Sequence, residues 1–153
     1  MVSIVNNYVD EAFEKEVLKL VPKIPRSKYK GRNQILRWGN KKPYHQYHRG
    51  NVIPEVFHRF QKDFPFTSAQ INEYYPGQSL EYHIDDINAG DSVRIINLYS
   101  ECDILFRKGS EHLTYTMPRY SLTTFSEEHR FEWEHAVRAT QLRYSVVFRN
   151  YPL

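Results

Sequence analysis

The stretch Arg143-Tyr144-Ser145-Val146-Val147-Phe148-Arg149, close to the end of the chain, has the period of a β-strand. Successive side chains of a strand point to opposite faces, so residues 143, 145, 147 and 149 share one face while Tyr144, Val146 and Phe148 share the other. Working outward towards the N-terminus, short strand-like runs separated by turn signals continue back to about residue 69. They cover 70–75, 79–84, 93–99, 102–107, 113–117, 121–126 and 130–137, with Pro76-Gly77, Asn88-Ala89-Gly90-Asp91, Lys108-Gly109-Ser110 and Pro118-Arg119 at the turns. Strands in this number and at this spacing predict a jelly roll or small barrel.

The first third reads differently. Over 8–21, Val9, Ala12, Phe13, Val17, Leu20 and Val21 keep the spacing of an amphipathic helix, with Asn7 able to cap its start and Pro22 preventing its continuation. Such a helix packs on the outside of a sheet. A second helix is predicted over 52–63, with Val52, Val56, Phe57 and Phe60 on one side and Phe64-Pro65-Phe66 as the break. Between the two, residues 22–50 show no clear period and hold Pro25, Gly31, Gly39, Pro43 and Gly50, which predicts loops with a hairpin near 33–47. The expected fold class is mainly β with flanking helices (α+β): one domain over 1–153, with helices and a basic segment in 1–68 and a double-stranded β-helix, or jelly-roll, core in 69–153.

A chain of 153 residues can bury roughly two-thirds of the surface its unfolded form exposes. Its 41% hydrophobic and 15% aromatic content argues for a globular protein, and no run approaches the ~18 apolar residues of a membrane span. No basic leader followed by a long apolar run opens the sequence, and a single cysteine, Cys102, cannot form an internal disulfide. A cytoplasmic monomer is the expectation. The net charge of +3 conceals an asymmetry: residues 22–50 contain nine Lys or Arg and no Asp or Glu, whereas the remainder holds 12 basic and 18 acidic side chains, a net of −6. Among those cations lie Trp38, Tyr44, Tyr47 and His48. Cations for phosphates mixed with rings that stack on bases suit single-stranded or flipped-base nucleic acid; the competing reading is a solvated basic loop whose rings close over the barrel.

Chemistry is suggested by Tyr82-His83-Ile84-Asp85-Asp86, where a histidine and a carboxylate two apart on a strand share a face about 6–7 Å apart and can reach one metal. Alone, the triplet reads equally as a polar strand edge. In Phe131-Glu132-Trp133-Glu134-His135 the odd positions should share the buried face, and His135 could complete a two-histidine, one-carboxylate set with His83 and Asp85. That set leaves three positions open for co-substrate and O₂, as non-haem Fe(II) oxygenases require. Arg143 and Arg149, some 20 Å apart along the backbone, can bend inward over Ser145 and Val147 to grip a short dicarboxylate from both ends. Two exposed arginines on an edge strand fit the spacing as well.

Together, Asn72-x-Tyr74-x-Pro76-Gly77, His83-x-Asp85, Met117-Pro118-Arg119-x-Ser121-Leu122, Arg130-x-x-Trp133-x-His135 and Arg143-x-x-x-x-x-Arg149 resemble the AlkB family of Fe(II)- and 2-oxoglutarate-dependent dioxygenases over about residues 69–151. The resemblance implies iron held by His83, Asp85 and His135. It also implies that Arg143 and Tyr74 receive the far carboxylate of 2-oxoglutarate, that Arg149 and Asn72 address its chelating end, and that Ser145 contacts it. The implied activity is oxidative demethylation or hydroxylation of modified bases in DNA or RNA, including DNA repair. Repair members place an acid two positions after the metal aspartate; here Ile87 stands there, with Asp86 one step earlier as the candidate substrate contact. The alternatives are a protein or small-molecule hydroxylase on the same scaffold and a non-catalytic jelly-roll binding module.

Overall fold

In a computed structural model the described residues are 1–24, 31, 33–39 and 52–152. In chain order they form β1 (Val2–Val5), α1 (Glu11–Leu18), β2 (Gln34–Gly39), β3 (Ser68–Tyr74), β4 (Ser79–His83) and β5 (Ser92–Leu98), then β6 (Cys102–Lys108), β7 (Glu111–Met117), β8 (Leu122–Ser126), α2 (Glu127–Phe131), β9 (Glu134–Arg138) and β10 (Arg143–Arg149). Single 3-10 stretches occur at Val21–Lys23 and Glu55–Lys62. The strands make a large sheet in the order β1-β8-β5-β10-β3-β2 and a small one in the order β4-β9-β6-β7, with every pairing antiparallel. This is the expected jelly roll.

The large sheet has two different faces because its strands alternate two kinds of side chain. Tyr144, Val146 and Phe148 of β10, with Ala69 and Ile71 of β3 and Ile96 and Leu98 of β5, pack against Phe13 and Val17 of α1 and Phe57 and Phe60 of the second 3-10 stretch. Phe148 is central there, its ring centroid 5.8, 5.6, 5.4 and 4.7 Å from those of Phe57, Phe60, Phe64 and Phe66. The other face looks across to the small sheet, where Val147, Ile95, Val93 and Phe125 meet Ile104, Phe106, Met117 and Val137. β10 lies between β3 and β5, so its arginines are not on an edge.

Several elements depart from the sequence reading. Helix α1 starts later than residue 8, because Asp10, not Asn7, supplies the cap: its Oδ1 accepts from the Phe13 amide at 2.9 Å. Asn7 instead occupies a turn at φ 53°. The stretch predicted as a helix over 52–63 is 3-10, begins at Glu55 after the extended Pro54, and leaves Val52 86% exposed. β2 pairs with β3 rather than closing a local hairpin, and residues 40–47 of the expected hairpin lie outside the described residues. The strand expected over 130–137 is divided: residues 127–131 form α2, which turns Phe131 outward at 40% exposure and leaves Trp133 and His135 buried without it. Among the described residues no helix is long and apolar enough to cross a membrane.

Candidate metal and co-substrate site

His83 owes its direction to a β-bulge. Leu80 pairs with Val137 and His83 with His135, so Glu81 and Tyr82 together oppose the single residue Ala136. In a regular strand, residues three apart face opposite sides; the extra residue lets Leu80 and His83 both point between the sheets. The bulge does a second thing. The Glu81 carbonyl accepts from His83 Nδ1 at 2.7 Å, and since a carbonyl only accepts, the hydrogen sits on Nδ1 and the Nε2 lone pair is free to bind a metal. On the outside, Tyr82 lies under two guanidinium groups, Arg107 at 4.0 Å and Arg138 at 5.6 Å from its ring centroid.

Asp85 follows just beyond the end of β4 and is buried. Its Oδ2 accepts from Arg149 Nε at 2.6 Å. Its Oδ1 lies 3.2 Å from His83 Nε2 and 3.3 Å from His135 Nε2, yet neither approach has hydrogen-bond geometry, and Oδ1 is a buried atom without a hydrogen-bond partner among the described residues. One potential ligand atom from each residue lies within 4.8 Å of those from the other two. Buried polar atoms are nearly always paired, so a carboxylate oxygen left to face two imidazole nitrogens is a donor arrangement that suits a cation. The donor set fits a first-row divalent ion such as Fe(II).

Electrostatics points the same way. Burial opposes ionisation of Asp85, but Arg149 and then the two histidines outweigh it and hold the carboxyl well below its usual range. Burial drives the His135 pKa below its ordinary value despite Asp85, so this ring is neutral with a lone pair to give. For His83, burial is offset by Asp85 and the Glu81 carbonyl, which raise its affinity for a proton. A metal at this point would compete with a proton for Nε2.

From the carboxylate of Asp85, a polar stripe crosses the inner face of the large sheet. In the β3–β10 register, Arg143 stands opposite Tyr74, Ser145 opposite Asn72, Val147 opposite Gln70, and Arg149 opposite Ser68. Asn72 Nδ2 donates to Ser145 Oγ at 3.3 Å, while its Oδ1 accepts from Gln70 at 2.7 Å and Asn33 at 3.1 Å. Arg149 Nη1 donates to Gln70 Oε1 at 3.2 Å. At the far end Arg143, only 1% exposed, donates from Nε to Asn97 Oδ1 at 2.6 Å, while its Nη2 has no hydrogen-bond partner among the described residues. Its guanidinium carbon is 5.0 Å from the Tyr74 ring centroid. Burial, only partly countered by Arg143, pushes the Tyr74 hydroxyl up to about 12, so it stays a donor at neutral pH.

The fold thus brings His83, Asp85 and His135 together, and sets Asn72, Tyr74, Arg143, Ser145 and Arg149 on one inner face. Two residues suggested as substrate contacts are elsewhere. Trp38 alternates to the outer face of β2, where its ring packs 6.0 Å from that of Phe57 in the helix-side core, so it cannot stack on a base at the metal cluster. The Asp86 carboxylate is occupied locally, accepting from the Asn88 amide at 2.9 Å and closing a turn. Tyr44, Tyr47 and His48 lie outside the described residues. Gln70 and Asn97 were not singled out from the sequence. Gln70 had a signal, since Ser68, Gln70 and Asn72 alternate with Ala69 and Ile71. Asn97 had none, because Arg143, the residue it holds, is 46 positions away.

No protein-family model and no curated protein sequence matches the chain. Solved structures do. The structure of OsALKBH1 superposes with a TM-score of 0.75 at 14% identity, covering 97% of each chain. A prolyl hydroxylase from Trichoplax adhaerens, in complex with a hypoxia inducible factor oxygen degradation domain peptide fragment, superposes with a TM-score of 0.67, also at 14% identity, covering 98% of this chain and 83% of the other. At this identity the likeness is one of architecture: the chain shares the jelly-roll fold of these structures.

Proposed function

We propose that this protein is an Fe(II)- and 2-oxoglutarate-dependent dioxygenase that demethylates or hydroxylates modified bases in DNA or RNA. The observation that carries the reading is a pair of buried groups, unmatched among the described residues and joined by one polar stripe: Asp85 Oδ1 facing the Nε2 atoms of His83 and His135, and Arg143 Nη2 at the other end. The first suits a metal cation and the second an anion, and 2-oxoglutarate is a ligand that spans from one to the other.

Bound iron, with 2-oxoglutarate and O₂, supplies the oxidising power to hydroxylate a C–H bond while the co-substrate leaves as succinate and CO₂. The chain's own residues set the stage for that reaction. His83, Asp85 and His135 would hold the metal from one side. Arg149 anchors Oδ2 of Asp85 so that Oδ1 is the oxygen presented, and keeps the carboxylate ionised. Arg143, pre-set by Asn97 and backed by Tyr74, would receive the far carboxylate, with Asn72 and Ser145 along its length. Val147, Ile95 and Phe125 beside the stripe exclude water from it. A hydroxylated N-methyl group on a base then releases formaldehyde.

Nucleic acid as substrate is supported by the nine cations and absent acids of residues 22–50, and by the likeness to OsALKBH1. Protein hydroxylation is the second reading, favoured by the likeness to a prolyl hydroxylase solved with its peptide. Incubation with Fe(II), 2-oxoglutarate and air, against methylated oligonucleotides and a proline-containing peptide panel, tests both. Formaldehyde release from an oligonucleotide, lost in Asp85→Ala, supports the first reading. Gain of one oxygen on a peptide supports the second, and succinate no higher than in Asp85→Ala with either panel removes the dioxygenase reading.

A further inference from the structure

A buried arginine outside the polar stripe grips the turn that carries the metal carboxylate. Arg130, on α2, is 1% exposed. All three kinds of guanidinium nitrogen donate to backbone carbonyls of one segment: Nη1 to Asp85 at 3.3 Å, Nη2 to Asp86 at 2.6 Å and Nε to Gly90 at 3.0 Å. The segment is a closed turn, with the Ala89 amide donating back to the Asp86 carbonyl at 2.8 Å and the Asn150 amide donating to the Ala89 carbonyl at 3.2 Å. Gly90 sits at φ +93°, and a Cβ there would come 2.9 Å from the Asn150 carbonyl, so the turn has no room to shift on that side.

Resting on the dioxygenase reading above, we propose that Arg130 is a positioning residue for metal binding, holding the Asp85 backbone so that its carboxylate meets both imidazoles. Asp85 is fixed at two points by two different arginines. Arg149 orients the carboxylate from one oxygen, and Arg130 holds the main chain from the carbonyl. The second hold is needed because Asp85 stands beyond the last residue of β4, where no sheet pairing among the described residues fixes its Cα. A planar fork with donors in fixed directions can span three carbonyls at once; an ammonium cannot. A burial this complete for a cation that meets carbonyls and the Phe131 ring, 4.6 Å from its guanidinium carbon, but no carboxylate of its own is costly for stability alone, since an apolar side chain of the same volume would fill the space. It makes sense if what it secures is geometry at Asp85.

The test is Co(II) affinity of the purified protein, read from the visible ligand-field absorption, alongside thermal unfolding and with Asp85→Ala as reference. Arg130→Met and Arg130→Lys are expected to remain folded and to bind Co(II) 10- to 100-fold more weakly than wild type, as loss of outer-shell support does, with Lys the milder of the two. Folded Arg130 variants with wild-type affinity, while Asp85→Ala has lost binding, would overturn the positioning role and leave the metal site standing. Equal binding by wild type and Asp85→Ala would overturn the metal site itself and the role with it. If both Arg130 variants fail to fold, Gly90→Ala, which displaces a carbonyl that Arg130 reads, decides by the same measurement: weakened affinity supports the proposal and unchanged affinity overturns it.

Discussion

The two faces of β10 differ by one residue step and by everything else. Tyr144, Val146 and Phe148 point into an aromatic core with α1 and the 3-10 stretch, while Arg143, Ser145 and Arg149 point between the sheets onto a stripe of amides and the Asp85 carboxylate. The outer face is packed carbon that gains free energy from burial. The inner face carries two arginines, Arg143 buried and Arg149 nearly so, and Arg143 keeps a nitrogen unmatched among the described residues. One side of the strand is thus given to apolar packing, while the other shares apolar Val147 with the polar stripe of the proposed site, and substitutions of aromatic and of polar residues should separate accordingly.

Asp85→Ala is the sharpest challenge, because it sits on the inner side yet should cost both activity and stability. Removing the carboxylate leaves Arg149, with 12% side-chain exposure, without its ionic partner, at about 3–5 kcal/mol in denaturant unfolding. Succinate production should fall to background. The double variant Asp85→Ala with Arg149→Met should recover much of the stability and none of the activity; a double variant no more stable than Asp85→Ala would mean that Arg149 is held by its other neighbours.

Next in size is Phe148→Ala, which removes a ring touching four others and should destabilise by about 3–5 kcal/mol. Co(II) affinity of the folded fraction should not change, and a parallel loss of affinity would show that the two faces are not independent. Arg143→Met should reach binding as well. Loss of a buried charge pair of about 2 kcal/mol or more raises the 2-oxoglutarate KM some 30-fold, while stability falls by about 1–3 kcal/mol because the buried Asn97 Oδ1 loses the Arg143 donor. Steady-state kinetics and unfolding of the same preparation check both halves.

The smallest effect lies on the helix side, where the Tyr8 hydroxyl donates to Asp63. Burial, and then Asp63, raise the Tyr8 pKa above its ordinary value. Its contribution is present in full below about pH 10 and is lost as pH rises past that point towards the folded value. The stability gap between wild type and Tyr8→Phe should therefore narrow above pH 10, by a fraction of a kcal/mol because water screens a half-exposed pair.

Much of this was readable from local pattern. Arg143–Arg149 alternates cleanly, and its observed bounds and two faces are those the sequence predicts, since strand period is a local property. Local competition explains the misses: Asp10 displaced Asn7 as a cap, and α2 interrupted the run leading to His135. Trp38 looked like a base-stacking ring by composition, but which face a ring takes is settled by the β2–β3 register.

What the sequence determined by itself was the roster: a strand-rich core, a His-x-Asp, a later histidine and two arginines six apart, all set by residue type and spacing. What only the tertiary structure decided was how they meet. The bulge at Glu81 and Tyr82 turns His83 inward and supplies its Nδ1 acceptor; Arg130 clamps the turn beyond β4; Asn97 steadies Arg143 from a neighbouring strand. Each depends on pairing between residues far apart in the chain. Period along one strand carries no information about the register against another, which is fixed when the sheets close and the buried polar groups find their partners.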